Sequence, residues 1–407
     1  MKKWLALLLI LGLTVFVVGC SDDDDDDDTT NPPTTTTVLI GGLVPVTGNL
    51  SQYSEQLETF IHFAEEDVNT KLANNESDYR IELLCQDTET DGEVAKITSE
   101  LLHRVSSVNC FVGPLTSGEL LSMTESTVMD SIIVLSPGST APTLSIPNDN
   151  IFRFVTSDSQ LATALSQKMY DDGIRSLIKI HRFDTWGISL NALMDESFTA
   201  LGGDTISTYE LFGARTSEIV EMLDTLYADI AELTVPIDEV ALQLTSLQEG
   251  IELMRLVSDS LANYPLLGDI RWYGSDGLVQ NAYMVQEESV REFAAQVQYT
   301  APIFGLVESD AMSALATRFA AESNEDPWTY SFIAYDIVSL IGEAILNSTD
   351  PDNIIELRTE ILNATSTLTG VTGSLELNDN GDRMNGNYDF WQVVEEGGNY
   401  SWEIVTE

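Results

Sequence analysis

Val38-Leu39-Ile40-Gly41-Gly42-Leu43-Val44-Pro45-Val46-Thr47-Gly48 opens the regular part of the chain and decides its class. The first seven residues carry no polar side chain. Such a run reads as a strand buried on both faces, the pattern of a parallel sheet covered by helices. Pro45 and Gly48 stop it. Helical spacing follows, with Leu57, Phe60, Ile61, Ala64 and Val68 on one face of 56–72. Next come a strand at 81–85, a helix at 94–105, a strand at 110–113, a helix at 118–129 and a strand at 132–135. Strands alternating with helices imply right-handed crossovers and a parallel sheet.

The alternation restarts after Asp158. Helix 161–170, strand 176–180, helix 190–201, strand 206–211, strand 240–244, helix 250–261 and strand 271–274 make a second α/β unit. Residues 328–346 read as a long apolar helix; 373–377 and 388–394 read as strands. Between those strands lies Asn378-Asp379-Asn380-Gly381-Asp382. It is weakly similar to a calcium loop but lacks the closing Glu. An Asn-Gly turn explains it better.

Upstream, Lys2 and Lys3 precede an apolar run from Trp4 to Val18 that ends in Val17-Val18-Gly19-Cys20. A basic start, a short apolar core and small residues before a cleavage point predict a secretory signal at 1–19. The run is 15 residues, short of the roughly 20 needed to span a bilayer. Val-Val-Gly-Cys resembles the lipobox of bacterial lipoproteins, which implies lipidation of Cys20. The plainer reading is an ordinary signal with an incidental Cys. Asp22 to Asp28 then repel one another and cannot pack. With Thr and Pro up to Thr37, residues 20–37 read as a solvated tether.

The remaining length of about 370 residues suits two domains, and 43% hydrophobic content allows a large core. No second apolar run is read as transmembrane. The formal charge is −48, with −43 left on residues 29–407. That excess excludes binding to DNA, RNA or anionic membrane surfaces, which need basic patches. It suits a salt-adapted organism. Besides Cys20 there are Cys85 and Cys110, readable as a disulfide or as two small buried hydrophobes.

Four strand ends are rich in glycine and hydroxyl residues: 45–48, Gly113-Pro114-Leu115-Thr116-Ser117-Gly118, Ser136-Pro137-Gly138-Ser139-Thr140, and Gly274-Ser275-Asp276-Gly277. Ligands of parallel sheets bind beyond such ends, where N–H groups and helix N-termini point outward. The first three fit a carboxylate, and Asp276 in the fourth fits an ammonium. Each Ser or Thr alone is equally read as a helix N-cap.

The order strand, Pro-x-Thr-Gly, helix, Gly-Pro-x-x-Ser, then Ser-Pro-x-x-Thr-x-Pro resembles the leucine/isoleucine/valine-binding protein family. Phe152-Arg153-Phe154, Asp184-Thr185-Trp186-Gly187, Ala334-Tyr335-Asp336 and Gly370-Val371-Thr372-Gly373 add to it. The resemblance covers 38–394 and is loosest at 190–235. It implies an α/β protein of two Rossmann-like lobes with parallel central sheets and a three-strand hinge, the type I periplasmic binding fold. Lobe one would be 38–154 with 303–376, and lobe two 155–302 with 377–407, with crossings near 154–158, 299–302 and 377–382. It implies a ligand site of Tyr53, Ser117, Gly138, Ser139, Thr140, Trp186, Thr245, Asp276 and Tyr330. Ser117 and Thr140 would hold a carboxylate, Asp276 an ammonium, and Tyr53 and Tyr330 line the pocket. Trp186 stands in place of a tyrosine, Asp276 in place of a glutamate, and Thr245 in place of an aromatic.

The resemblance therefore implies a receptor of an ABC importer. It would be monomeric, held at the cell envelope only by its lipid, and would close on an amino acid with an apolar or aromatic side chain. Its partners would be that solute and the permease subunits. No cofactor, metal or catalysis is expected: His62, His103 and His181 show no metal spacing, and there is no nucleophile elbow or P-loop. The competing readings are a receptor for amides or urea, a ligand-sensing regulator, or a scaffold lipoprotein with a vestigial cleft.

Overall fold

A computed structural model describes residues 35–405 except 127, 214 and 324. The signal segment, Cys20 and most of the acidic tether lie outside the described residues. The first strand, β1 (Thr36–Val44), starts two residues before Val38, so the tether ends earlier than read. It is followed by α1 (Ser54–Asn74), β2 (Tyr79–Asp87), α2 (Gly92–Ser106), β3 (Cys110–Val112), α3 (Ser117–Thr124), β4 (Ile133–Ser136) and β5 (Ile151–Arg153). These strands form one parallel sheet in the order β2-β1-β3-β4-β5.

The second set begins with α4 (Asp158–Asp171), β6 (Ser176–Arg182), α5 (Thr185–Ala200), β7 (Asp204–Leu211), α6 (Thr216–Ala231), β8 (Val240–Thr245) and α7 (Glu249–Asp259). It continues with β9 (Arg271–Gly274), α8 (Tyr283–Gln286), α9 (Glu288–Gln296) and β10 (Thr300–Gly305). The chain returns to the first sheet with α10 (Asp310–Ala320), α11 (Thr329–Asn347), α12 (Ile354–Thr365) and the short β11 (Thr369–Gly370) and β12 (Gly373–Ser374). Finally β13 (Asn387–Glu396) and β14 (Asn399–Ile404) close the second sheet, ordered β14-β13-β10-β9-β8-β6-β7. Strands β10 to β7 run parallel there; β13 and β14 are antiparallel.

Several sequence readings change. Thr300–Gly305 belongs wholly to the second sheet, so the second crossing follows Gly305 rather than 299–302. The strand expected at 373–377 shrinks to a two-residue pairing with 369–370. α11 is apolar and long enough to span a bilayer, which the reading of a single apolar run overlooked. It is instead a core helix packed on α1, with Ile333, Ile337, Leu340, Ile341 and Ile345 buried.

Packing at β1 shows why it is central. A Cβ on Gly41 would lie 2.3 Å from the Phe111 ring, so β1 and β3 approach only because that position is glycine. β1 also separates the two cysteines. Gly42 pairs with Cys85 in β2, and Ile40 pairs with Cys110 in β3. Two strand spacings of about 4.8 Å each exceed the reach of a disulfide, about 7 Å between Cα atoms. Both thiols are free, and burial pushes each up to about 12.

Where the chain leaves the first sheet, Arg153 and Asp382 form an ion pair at 2.7 Å. The same guanidinium donates to the carbonyls of Ala141 at 2.7 Å and Ser139 at 3.4 Å. Asp382 also accepts from Ser145 Oγ at 2.5 Å. Arg383 donates to the carbonyls of Phe154 and Thr372, tying the first crossing to the third.

Arg153→Met should lower unfolding free energy by about 3–5 kcal/mol in urea titration, because the Asp382 carboxylate is left buried and unpaired. Iodoacetamide should modify neither Cys85 nor Cys110 in the folded protein; peptide mass analysis should find both labelled only after denaturation, as thiols rather than as a bridge.

Candidate functional site

A cavity of about 330 Å³ lies between the carboxyl ends of the two sheets, in the size range of small-ligand sites. On the first-sheet side the loops after β3 and β4 build its wall. Thr116 caps α3: its hydroxyl accepts from Glu119 N at 3.3 Å, and Glu119 Oε2 accepts from Thr116 N at 2.9 Å. Ser117 is the first helical residue. Its Oγ accepts from Thr140 N at 3.1 Å and Ala141 N at 3.0 Å. With both lone pairs engaged, the hydroxyl proton is the group left to donate. The two loops are therefore one unit, and Ser117, Gly138 and Thr140 all line the cavity.

Opposite them stand residues carried by the second sheet. Asp184 caps α5, accepting from Gly187 N at 2.8 Å, and so places Trp186 in the first turn. Asp276 follows β9. Tyr330, in the first turn of α11, donates to its Oδ2 at 2.5 Å, while Oδ1 has no hydrogen-bond partner. Trp186, Asp276 and Tyr330 line the cavity. Asp276 is 5% exposed, and burial pushes its carboxyl up to about 6, against the lowering effect of Tyr330.

Three of the sequence-derived residues do not line it. Tyr53 stands behind the wall: its ring stacks on Trp328 at 3.9 Å, and its hydroxyl donates to Val279 O at 3.2 Å. Trp328 takes the place expected for Tyr53. The Ser139 hydroxyl is turned into the wall: it accepts from Ser136 Oγ at 2.9 Å in its own loop and donates to Leu115 O at 3.3 Å in the loop after β3. Thr245 is fully buried and accepts from Gln243 Nε2 at 2.9 Å; Leu247 lines the cavity beyond that strand instead.

Leu50, Leu115, Leu247, Trp186 and Trp328 form the apolar part of the lining. Trp186 was expected there; Leu50, Leu115, Leu247 and Trp328 are ordinary apolar residues in sequence, and no local pattern marks them as lining.

The sequence reading also missed Asp158. It begins α4 and is 0% exposed. Neither carboxylate oxygen has a partner in good hydrogen-bond geometry, though the Thr140 hydroxyl and the Trp186 indole are near enough to hold its pKa down in part. Burial, and then the negative charge of Asp276, push it up to about 8. The one available signal was an acid just after the break at Phe154, and a helix start explains that equally well.

A buried acid beside a second buried acid favours a cation between the two units. The N–H groups and hydroxyl around Ser117 favour an anion at the N-terminus of α3. The arrangement can grip both ends of a zwitterion.

Comparison with known proteins bears on the family and the fold. Residues 57–396 match the family described as receptor family ligand binding region. A curated relative, an uncharacterized protein of Methanocaldococcus jannaschii, is 25% identical over 96% of this chain and 94% of its own. A branched-chain amino acid transporter substrate binding protein from Streptococcus pneumoniae, solved with isoleucine, superposes with a TM-score of 0.71 at 17% identity, covering 91% of this chain and 99% of that one. A solute binding protein of an ABC transporter from R. palustris, solved with benzoate, gives a TM-score of 0.67 at 14% identity, covering 91% and 98%. On these matches the chain belongs to the receptor family ligand binding region family and has the type I periplasmic binding fold of ABC transporter substrate-binding proteins.

Proposed function

We propose that this protein is an extracytoplasmic receptor of an ABC importer and that it captures an α-amino acid with an apolar or aromatic side chain. The observation that carries the reading is the division of polar groups across the cleft. On the first side Ser117 offers its hydroxyl proton and the start of α3 its first N–H groups, with Asp91, Glu93 and Glu119 engaged in helix caps and with Lys96; on the second Asp276 offers a carboxylate, with Arg182 already paired to Asp184 and Glu249. A zwitterion contacts both units at once, so it binds the closed form better than the open one and draws the hinge shut. The apolar lining of Leu50, Leu115, Leu247 and Trp328 suits the side chain. On this reading Cys20 carries the lipid, the 20–37 segment is the tether, and a membrane permease receives the solute.

The neighbour solved with benzoate shows that a ligand of this fold can carry a carboxylate without an amine. In this chain the buried Asp276, with Asp158 behind it, argues for the amine. Neutral amides would leave both acids unpaired.

Titration calorimetry with isoleucine, phenylalanine, benzoate and acetamide tests the assignment. Asp276→Asn should weaken the two amino acids by about 2–5 kcal/mol and leave benzoate unchanged or improved. Equal loss for all four ligands, or tight acetamide binding, contradicts it.

The pH dependence follows from the two acids. Both carboxyls lie above the ordinary aspartate value, so the empty protein is stabilised when they are protonated. That contribution is complete below about pH 4 and is lost as pH rises through about 6 for Asp276 and about 8 for Asp158. An ammonium held at Asp276 favours the ionised form of both. Affinity should therefore rise with pH across this window, with proton release that calorimetry in buffers of different ionisation enthalpy will count. A flat profile with no proton release counts against an ammonium ligand.

A further inference from the structure

Trp328 carries an indole N–H that the protein leaves unanswered. The residue immediately precedes α11, borders the cavity and is 4% exposed. Its Nε1 is buried and has no hydrogen-bond partner among the described residues. A buried indole N–H ordinarily finds an acceptor, and leaving one unpaired is costly. The ring is not free to turn towards another. Tyr53 stacks on it at 3.9 Å with the planes 10° apart, and Tyr330 packs edge-on at 4.8 Å. The backbone N–H of Trp328 is itself held by Gln56 Oε1 at 2.7 Å. What the fixed indole lacks, a molecule in the cavity has to supply.

The surroundings narrow that acceptor. Among the described residues the cavity is bordered by the acids Asp91, Glu93, Glu119, Asp184 and Asp276 and by one base, Arg182, already paired with Asp184 and Glu249. A second carboxylate on the ligand would be repelled there. A cationic side chain has no lone pair to offer the indole. An uncharged oxygen remains. Tyr330 links the indole to the ammonium site: its hydroxyl donates to Asp276 and its ring packs against Trp328. An acceptor beside the indole thus lies an aromatic side chain away from the ammonium, beyond the reach of a serine or threonine hydroxyl. Leu50, Leu115, Leu247 and the Trp186 ring offer apolar surface that a phenyl ring covers.

Granted the α-amino acid of the proposed function, we infer that the ligand is an aromatic α-amino acid whose ring carries a hydroxyl, and that Trp328 selects it by donating its Nε1 proton to the phenolic oxygen. Phenylalanine enters the same space and leaves the N–H unpaired. A site built to bond a hydroxyl penalises the analogue without one.

Titration calorimetry with tyrosine, phenylalanine, glutamine and isoleucine tests the selection. Tyrosine should bind roughly tenfold or more tighter than phenylalanine. Trp328→Phe, whatever it costs both ligands through lost packing, should bring that ratio to about one. If the variant does not fold, 3-benzothienylalanine placed at position 328 decides: it keeps the bicyclic ring on Tyr53, replaces the N–H by sulfur, and should collapse the ratio in the same way. A tyrosine preference that survives either replacement overturns the role of Trp328. Equal binding of tyrosine and phenylalanine by the unaltered protein overturns the selection and leaves the amino-acid assignment standing, as does tighter binding of glutamine or isoleucine. Binding of none of the four overturns the amino-acid assignment itself.

Discussion

The Arg153 guanidinium, 1% exposed, joins parts of the chain that would otherwise move apart. It pairs with Asp382 in the third crossing and holds the carbonyls of Ser139 and Ala141 in the loop after β4. That loop in turn gives two N–H groups to Ser117 at the start of α3. The donors of the cleft are thus positioned by a charge set in the hinge region. A buried arginine is costly to desolvate, and five donors in a rigid fork allow the cost to be offset by several acceptors at once. Its Nη2 is without a hydrogen-bond partner among the described residues, and the guanidinium charge partly offsets that of Asp158.

The opposite problem appears across the cleft. Asp158 and Asp276 are both buried, and the charge of Asp276 raises the cost of ionising Asp158. Natural proteins tolerate such pairs where a ligand completes them. Tyr330 steadies one oxygen of Asp276 and leaves the other open. The contact joins a helix of the first unit to a loop of the second, and Gln280 adds to it by accepting from Thr329 N at 3.2 Å. Side chains at 276–280 therefore read the position of α11 directly, which links the state of the acid to the separation of the two units.

Surface composition and packing also have to be taken together. A chain of −48 keeps itself apart nearly everywhere by repulsion. α2, with two acids, two bases and an exposed apolar stripe, departs from that acidic balance, and its N-terminal residues Gly92 and Glu93 border the cavity.

Much of the architecture was legible along the chain. β1, β2, β3, β4, β6, β8 and β9 were read near their observed positions because buried parallel strands are short continuous apolar runs. α6 was not read, although Ile219, Leu223, Leu226 and Ile230 recur at helical spacing; the loose resemblance at 190–235 gave no help there. Ser117, Thr140 and Asp276 were legible because strand ends carry ligand groups in this topology. Their neighbours were not. Tyr53 and Trp328 are both aromatic residues before a helix, and only their stacking puts one in the wall and the other behind it. Thr245 points away because Gln243, two residues earlier on the same face of β8, claims its hydroxyl. Periodicity and turn chemistry are local, so the alternation of elements, the parallel sheets and the strand ends that border the cavity could be read along the chain. Which groups face that cavity, that Asp158 lies near Asp276, and that two cysteines are kept apart by β1 depend on the tertiary structure, because each requires segments far apart in the chain to meet at van der Waals distance.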